Sequence, residues 1–139
     1  LAHSKDELLK NSDFISIHLV LSSRTKNLIG AKEFQLMRHT GYLSNTSRAG
    51  IVDQNALVEA LQNKQIAGAA ADVFEIEPLP ENHTLRTLTN FVATPHIGYV
   101  TERNYRTYFG EAVENIQAYL DGKSLRQLNT LDQSLKSSR

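Results

Sequence analysis

Four short apolar runs alternate with helical segments along this 139-residue chain, and that order constrains its fold more than any other feature. The run FISIHLVL, Phe14 to Leu21, is almost continuously apolar and rich in branched side chains, which is typical of a strand covered on both faces in a parallel sheet. The other predicted strands are Tyr42 to Asn45, Ile66 to Phe74 and Phe91 to Thr94. The sequence therefore predicts an α/β fold, a partial doubly wound parallel sheet of about four strands flanked by helices.

The predicted helices have recognisable starts and ends. Ser4 and Glu7 form a capping box before a first short helix, and a second helical pattern covers Ala31 to Met37. Asp53 is placed as the N-cap of a third helix. Apolar residues at helical spacing then predict a long helix that ends before Gly122, a typical C′ residue.

Charge and composition favour a small-molecule partner. Lys plus Arg and Asp plus Glu both total 15, and neither sign forms long blocks, so neither nucleic acid nor an anionic membrane is an expected partner. No apolar run approaches the roughly 20 residues that span a bilayer. The chain has no cysteine and begins without a secretory h-region, so we expect a cytoplasmic protein.

Reactive side chains follow three successive predicted strands. Arg48 comes after the second strand, Asp72 lies at the end of the third with Glu77 in the loop that follows, and His96 comes after the fourth. Ligands of open α/β sheets bind beyond the carboxyl ends of the strands, so these groups are expected to meet at one edge. A guanidinium can hold a carboxylate, and an imidazole whose charged form is favoured by a neighbouring carboxylate can protonate a carbonyl oxygen. The set suits reduction of a 2-oxo acid, provided that a cofactor supplies hydride.

Simpler interpretations stand beside this one. Arg48 alone could be a solvated turn residue, and His96 alone a loop histidine bonded to backbone. His18, within an apolar run, is predicted to be a core histidine with a backbone partner. A metal site from His18, Asp72, Glu77 and His96 is not favoured, because no i, i+3 or i, i+4 ligand pair supports it.

Three longer segments resemble a known family. The stretches NTSRAGIVDQNALVEAL, IAGAAADVFEIEPLP and NFVATPHIG are similar to the signature stretches of the D-isomer-specific 2-hydroxyacid dehydrogenases, in the family's order and approximate spacing. The resemblance covers about Asp6 to Asn129. It implies the second half of a Rossmann-like domain that binds NAD or NADP, in an oxidoreductase acting on a small 2-hydroxy or 2-oxo acid.

The resemblance also implies roles for single residues. Arg48 matches the residue that binds the substrate carboxylate, His96 the acid/base, and Glu77 the acid paired with that histidine. In the related formate dehydrogenases a glutamine stands at the position of Glu77, which favours a 2-hydroxy acid over formate. Asp72 matches the residue that binds the nicotinamide carboxamide. Further positions expected along the cofactor are Thr46, Ser47, Gly98 and Tyr99, together with Arg48.

Departures from the family pattern lie around these positions. Val20 replaces a proline on the cofactor side, and Ala49 and Tyr99 stand where glycine is common. The family's phosphate-binding GxGxxG turn does not occur in the sequence, and the first strand corresponds to the fourth of the parent sheet. We therefore interpret residues 1–122 as the second half of an NAD-binding domain. Residues 123–139 are interpreted as a polar tail that is disordered or docks on a missing substrate domain.

Several expectations follow for the whole chain. A half sheet exposes the flank of its first strand, so a homodimer or association through that edge is expected. The chain alone is expected to be inactive. Two alternatives remain: an NADH-sensing corepressor of the same family, and a remnant without catalytic function.

Overall fold

Four parallel strands form a single sheet in the computed structural model, which describes residues 1–128. The strands run in chain order across the sheet, with β1 beside β2, β2 beside β3, and β3 beside β4. Their bounds are β1 Phe14–Ile17, β2 Tyr42–Asn45, β3 Gly68–Ala71 and β4 Phe91–Ala93. The predicted α/β class, with a Rossmann-like parallel sheet of about four strands, is confirmed.

The helices are α1 Lys5–Asn11, α2 Ala31–Leu36, α3 Gln54–Gln62 and α4 Glu102–Leu120, with short 3-10 turns at Ala49–Ile51 and Thr84–Arg86. Since strand order follows chain order, right-handed crossovers place α2 and α3 on the same face of the sheet. The chain forms two compact units, Leu1–Gly98 and a second that begins at Tyr99. The first unit holds the whole sheet and α1 to α3, and the second holds α4.

Local sequence signals place the helix ends well. The Ser4 hydroxyl accepts the Glu7 N–H at 3.1 Å, as the predicted capping box requires. The Glu7 carboxylate, however, accepts the N–H of His3 rather than that of Ser4, so this second hydrogen bond is shifted by one residue. The Asp53 carboxylate caps α3 by accepting two backbone N–H groups. Gly122, at φ +71°, has the left-handed conformation of the predicted C′ position.

The first strand is shorter than predicted and is covered on one face only. Ile15 and Ile17 are buried against the helices, whereas Phe14 is 77% exposed and stacks on Tyr42 with ring centroids 5.2 Å apart. The strand ends at Ile17 because its partner, β2, ends at the paired Asn45. The remaining apolar residues of the run belong to the following loop.

The prediction for His18 was wrong, since its side chain is exposed and lies 2.8 Å from the Ser16 hydroxyl, not in the core beside a backbone partner. Ser16 and His18 both point away from the buried face of β1. An apolar run alone does not reveal which of its residues leave the sheet.

The third strand also ends earlier than predicted, covering only Gly68–Ala71. Val73 and Phe74 remain buried although they lie beyond the strand, so burial rather than strand structure explains their apolar character. Gly68 sits where a Cβ would lie 2.8 Å from the Asn90 carbonyl oxygen and 3.1 Å from the Tyr42 ring. Here the small residue serves the packing of neighbouring protein groups.

Within residues 1–128, no helix combines the length and apolar character needed to cross a membrane. Most of the predicted polar tail, residues 129–139, lies outside the described part of the chain. The predicted boundary at residue 122 stays a prediction.

Candidate active site

An open cleft of about 470 Å³ lies at the carboxyl ends of the strands in the first unit. Arg48, Glu77 and His96, the three side chains singled out from the sequence, all line it. They arrive from the loops after β2, β3 and β4, because parallel strands deliver their carboxyl ends to the same sheet edge. Lys26 and Glu75 also border this cleft.

Glu77 and His96 form a direct pair. The Glu77 Oε2 atom lies 2.7 Å from the His96 Nδ1 atom, and both side chains are about two-fifths exposed, at 37% and 41%. The other carboxylate oxygen, Oε1, accepts the Phe74 N–H at 2.9 Å. That backbone hydrogen bond, followed by the one with His96, lowers the pKa of Glu77 below its ordinary value. Glu77 is thus held as a carboxylate against the imidazole.

The loop that carries His96 is built around an unusual backbone conformation. His96 has φ +57°, in the left-handed region that non-glycine residues rarely adopt. Asp72 Oδ1 accepts hydrogen bonds from the Thr94 hydroxyl and the Ile97 N–H, and Oδ2 accepts the Gly98 N–H at 2.8 Å. These donors flank His96 on both sides, so the Asp72 carboxylate stabilises the strained turn.

Asp72 is 4% exposed, which makes its ionisation informative. Burial raises the pKa of this carboxyl, but the three hydrogen bonds from Thr94, Ile97 and Gly98 outweigh burial, and the net pKa lies below the ordinary aspartate value. A Cβ at Gly98 would lie 3.0 Å from Asp72 Oδ2. A side chain at that position would press on the carboxylate that holds the loop.

The loop that carries Arg48 is held by a buried amide. Asn45 Oδ1 accepts the Ser47 N–H at 3.1 Å, and Asn45 Nδ2 donates to the Arg48 carbonyl oxygen at 3.0 Å. The Ser47 hydroxyl donates to the Leu19 carbonyl oxygen at 2.5 Å. The Arg48 guanidinium donates through Nη1 to the Ser47 carbonyl oxygen at 2.7 Å. The backbone around the arginine is therefore fixed on several sides.

The residues expected along the cofactor do not line this cleft, apart from Arg48. Thr46 and Gly98 are exposed, whereas Ser47 and Asp72 are partly or fully enclosed by the contacts described above. Tyr99 is 53% exposed and opens the second unit, where its carbonyl oxygen accepts from the Asn104 side chain. Val20, the departure on the cofactor side, is 84% exposed.

The polar groups at these strand ends suit the nicotinamide end of a dinucleotide. A carboxylate offers about four acceptor positions, and protein groups use three of those on Asp72, which leaves one on Oδ2. The contact of Asp72 with the carboxamide stays a prediction, because this side chain is 4% exposed. Thr46 adds an exposed hydroxyl beside the same sheet edge. The chain has no GxGxxG turn for the pyrophosphate, so the residues present fit only this end of the cofactor.

Sequence reasoning missed three contributors to the site. Asn45 is 5% exposed and braces the arginine loop, Lys26 borders the cleft, and the Phe74 N–H orients Glu77. A polar residue at the end of an apolar strand could have signalled Asn45. Lys26 and the Phe74 backbone carry no such signal, because loop packing alone brings them to the cleft.

Other cavities carry less chemistry. A groove of about 560 Å³ on the sheet face is lined by residues such as Phe14, Tyr42 and Val92, with no carboxylate, imidazole or guanidinium among them. In the part of the chain that the structure describes, no group of three or more His, Cys, Asp or Glu side chains could hold a metal ion. Of these two cavities, the cleft at the strand ends holds the carboxylate, imidazole and guanidinium groups.

Comparison with known proteins agrees with this geometry. Residues 1–98 match the model of the D-isomer specific 2-hydroxyacid dehydrogenase family, NAD binding domain. A glyoxylate reductase of Aeropyrum pernix is 46% identical over 120 residues, which cover 86% of this chain but only 36% of that protein. The chain thus spans about a third of that relative's length.

Solved structures show the same likeness. A D-lactate dehydrogenase from Sporolactobacillus sp. has a TM-score of 0.81 and 37% identity, over 93% of this chain and 43% of that one. The NAD-complexed D-isomer specific 2-hydroxyacid dehydrogenase of Lactobacillus delbrueckii ssp. bulgaricus has a TM-score of 0.80 and 33% identity, over 87% and 41% respectively. With its parallel sheet, its strand-end cleft and these matches, the chain belongs to the D-isomer specific 2-hydroxyacid dehydrogenases, and residues 1–98 correspond to part of their NAD-binding domain.

Proposed function

We propose that this chain supplies the acid/base and carboxylate-binding half of an NAD(H)-dependent oxidoreductase that interconverts a 2-oxo acid and a 2-hydroxy acid. The supporting observation is that Arg48 and the Glu77–His96 pair line one cleft. We propose glyoxylate as the 2-oxo acid, because the similar Aeropyrum pernix protein is a glyoxylate reductase.

Arg48 and His96 divide the work on the substrate. The Arg48 guanidinium binds the carboxylate through two N–H donors, and its charge polarises the adjacent carbonyl. NADH, when bound, would supply the hydride that the carbonyl carbon accepts. The His96 imidazolium gives its proton to the carbonyl oxygen, so that the 2-oxo acid becomes the 2-hydroxy acid and one proton is consumed.

Glu77 acts through the histidine. Its carboxylate, 2.7 Å from Nδ1, fixes the orientation of the ring and stabilises the imidazolium that must be present before reduction. The Phe74 N–H holds that carboxylate in place and keeps it ionised. In the reverse reaction the same pair accepts the proton of the alcohol.

We propose further that residues 1–139 alone bind NADH weakly and turn over no substrate, because they contain no glycine-rich phosphate turn. The edge of β1 opposite β2 has no strand partner within residues 1–128, and we propose that the protein associates through this edge, as a homodimer or with another part of its parent enzyme.

A chimera tests the activity. This chain replaces the matched 120-residue segment of the Aeropyrum pernix glyoxylate reductase, and NADH-dependent glyoxylate reduction is followed by absorbance. We expect turnover above that of the same enzyme with the segment deleted. A chimera that folds and binds NADH but does not reduce glyoxylate, hydroxypyruvate or pyruvate would overturn the proposed function.

In that chimera, Arg48→Gln should raise the KM for glyoxylate and lower kcat/KM roughly ten- to hundredfold, because a charge-assisted hydrogen-bonded pair with the substrate is lost. Arg24→Gln, at an exposed loop position outside the cleft, is the matched control and should change kcat/KM less than twofold. Equal effects of the two variants would remove Arg48 from the site.

The isolated chain provides a separate test. Calorimetric titration of the 139-residue protein with NADH should give a dissociation constant above the micromolar range. Micromolar affinity would contradict the proposal that the chain alone binds the cofactor weakly.

A further inference from the structure

Asn45 is one of only two polar or charged residues that are buried in the described part of the chain; the other is Asp72. It lies at the carboxyl end of β2, three residues before Arg48. A buried primary amide is costly unless its donors and acceptor are paired, so its contacts explain why the position holds asparagine rather than an aliphatic residue.

The two contacts of the Asn45 side chain bracket the arginine. Its oxygen accepts the Ser47 N–H at 3.1 Å, and its nitrogen donates to the Arg48 carbonyl oxygen at 3.0 Å. One hydrogen bond therefore fixes the backbone two residues after Asn45 and the other fixes the backbone on the far side of the Arg48 Cα. A side chain of the same size without polar atoms would leave the Ser47 N–H without this acceptor, and the Arg48 carbonyl oxygen would keep only the Ile51 N–H at 3.3 Å.

The Arg48 side chain itself is exposed and donates a hydrogen bond to its neighbour, the Ser47 carbonyl oxygen. Its backbone is extended, with φ −143° and ψ 137°, and the following 3-10 turn begins directly after it. The direction in which the guanidinium leaves the backbone is thus set by the turn that Asn45 holds. A misplacement of about 1 Å in a substrate-binding group can cost about a hundredfold in rate.

We propose that Asn45 is a positioning residue for Arg48: its buried side-chain amide aims the guanidinium into the cleft by holding the Ser47 N–H and the Arg48 carbonyl oxygen. The proposal rests on the function proposed above for Arg48. It assigns Asn45 no contact with substrate or cofactor.

Asn45→Asp is the most informative variant. It keeps the shape and one acceptor oxygen for the Ser47 N–H, but it places an oxygen instead of an N–H donor against the Arg48 carbonyl oxygen. Asn55→Asp, on the exposed side of α3, introduces the same chemical change away from the cleft and serves as control. The amide spectrum of the 139-residue chain shows whether each variant keeps its fold; if Asn45→Asp does not, Asn45→Ser takes its place.

The decisive measurement is a double-mutant cycle with Arg48→Gln in the glyoxylate reductase chimera. Asn45→Asp should lower kcat/KM for glyoxylate about tenfold or more, leave the KM for NADH within twofold, and exceed any effect of Asn55→Asp. In the Arg48→Gln background the same substitution should change kcat/KM less than twofold, because the group it positions has already gone.

The outcomes separate the two proposals. If Asn45→Asp lowers kcat/KM by the same factor in both backgrounds, or not at all, Asn45 does not act through Arg48 and the inference is overturned while the proposed function stands. If Arg48→Gln itself leaves glyoxylate reduction unchanged, the proposed function of Arg48 fails, and the inference fails with it.

Discussion

At the scale of single residues, the side chains of Asn45 and Asp72 hold the backbone of the two loops that carry Arg48 and His96. That Arg48, Glu77 and His96 lie at one sheet edge was predictable because each follows a predicted strand, whereas their predicted roles came from the resemblance of whole segments to a known family. Asn45 was not predictable, since its importance comes from burial and from two hydrogen bonds that exist only once β2 and its loop have formed. Asp72 was predicted to contact the cofactor, yet its clearest structural role is to hold the His96 loop.

Glu77→Gln should weaken glyoxylate reduction on the alkaline side of the pH–rate profile. The amide keeps the hydrogen-bonding shape but removes the negative charge beside His96, so the imidazolium form of the ring no longer has an ion-pair partner. The profile of kcat/KM against pH in the chimera provides the measurement, with the exposed Glu59→Gln as control. An unchanged alkaline limb would argue against the pairing.

Asp72→Asn should destabilise the first unit and make its free energy of unfolding less dependent on pH in the acidic range. The pKa of Asp72 is below its ordinary value, so its ionised form contributes stability that is present above the unfolded aspartate pKa, about 4, and is lost as pH falls through the folded value. At neutral pH the variant should lose about 1–3 kcal/mol, because an amide N–H₂ would face the Gly98 N–H.

Urea unfolding of the 139-residue chain at a series of pH values checks this. The wild-type free energy of unfolding should fall with acidification below about pH 4 more steeply than that of Asp72→Asn. Parallel curves for the two proteins would show that Asp72 carries no such linkage.

At the scale of secondary-structure elements, helix ends were predicted more accurately than strand ends. Ser4, Asp53 and Gly122 carry their capping information locally, and the structure uses all three. Strand length instead depends on the partner: β1 stops at Ile17 because β2 stops at Asn45, and the apolar residues that follow gave no sign of this. Cross-strand pairing is a non-local property that periodicity in one segment cannot convey.

Gly68→Ala tests the closeness of the strands around β3. The new methyl would meet the Asn90 carbonyl oxygen at 2.8 Å and the Tyr42 ring at 3.1 Å, so we expect a loss of about 1–3 kcal/mol in the free energy of unfolding. Gly110→Ala in α4 is the matched control, since no atom lies within 4 Å of its Cβ position, and it should stabilise its helix by about 0.5–1 kcal/mol. Urea unfolding monitored by circular dichroism measures both. Opposite signs are expected; a neutral Gly68→Ala would show that the sheet relaxes easily.

At the scale of the whole molecule, the sheet has an edge at β1 without a strand partner within residues 1–128, and an apolar face. Phe14, on the edge strand, is 77% exposed, and with Tyr42 and Val92 it borders the groove on the sheet face. This edge was expected from the resemblance to the family, which implies that the first strand corresponds to the fourth of the parent sheet. What binds to this edge and this groove depends on molecules outside the chain. The residue pattern of the chain does not identify those molecules.

Phe14→Lys should reduce self-association of the 139-residue chain. A charge on an exposed edge strand opposes pairing with a second strand. Sedimentation velocity over a range of concentrations should show a smaller associated fraction than in the wild type. Ile76→Lys, which replaces a 64% exposed residue in a loop, is the control and should leave association unchanged. Equal association of Phe14→Lys and wild type would exclude this edge as the contact.

The Asp72 N–H donates to the Asn45 carbonyl oxygen at 3.0 Å. The two residues that hold the arginine and histidine loops are thus themselves joined across neighbouring strands. The arginine and histidine loops are consequently connected through neighbouring strand ends, and we expect a disturbance at one strand end to reach the other. In enzyme engineering, we therefore expect that the arginine loop and the histidine loop have to be transferred together, because the residues that hold them are hydrogen-bonded to each other. We expect changes in substrate specificity to come from residues that line the cleft rather than from Asn45 and Asp72.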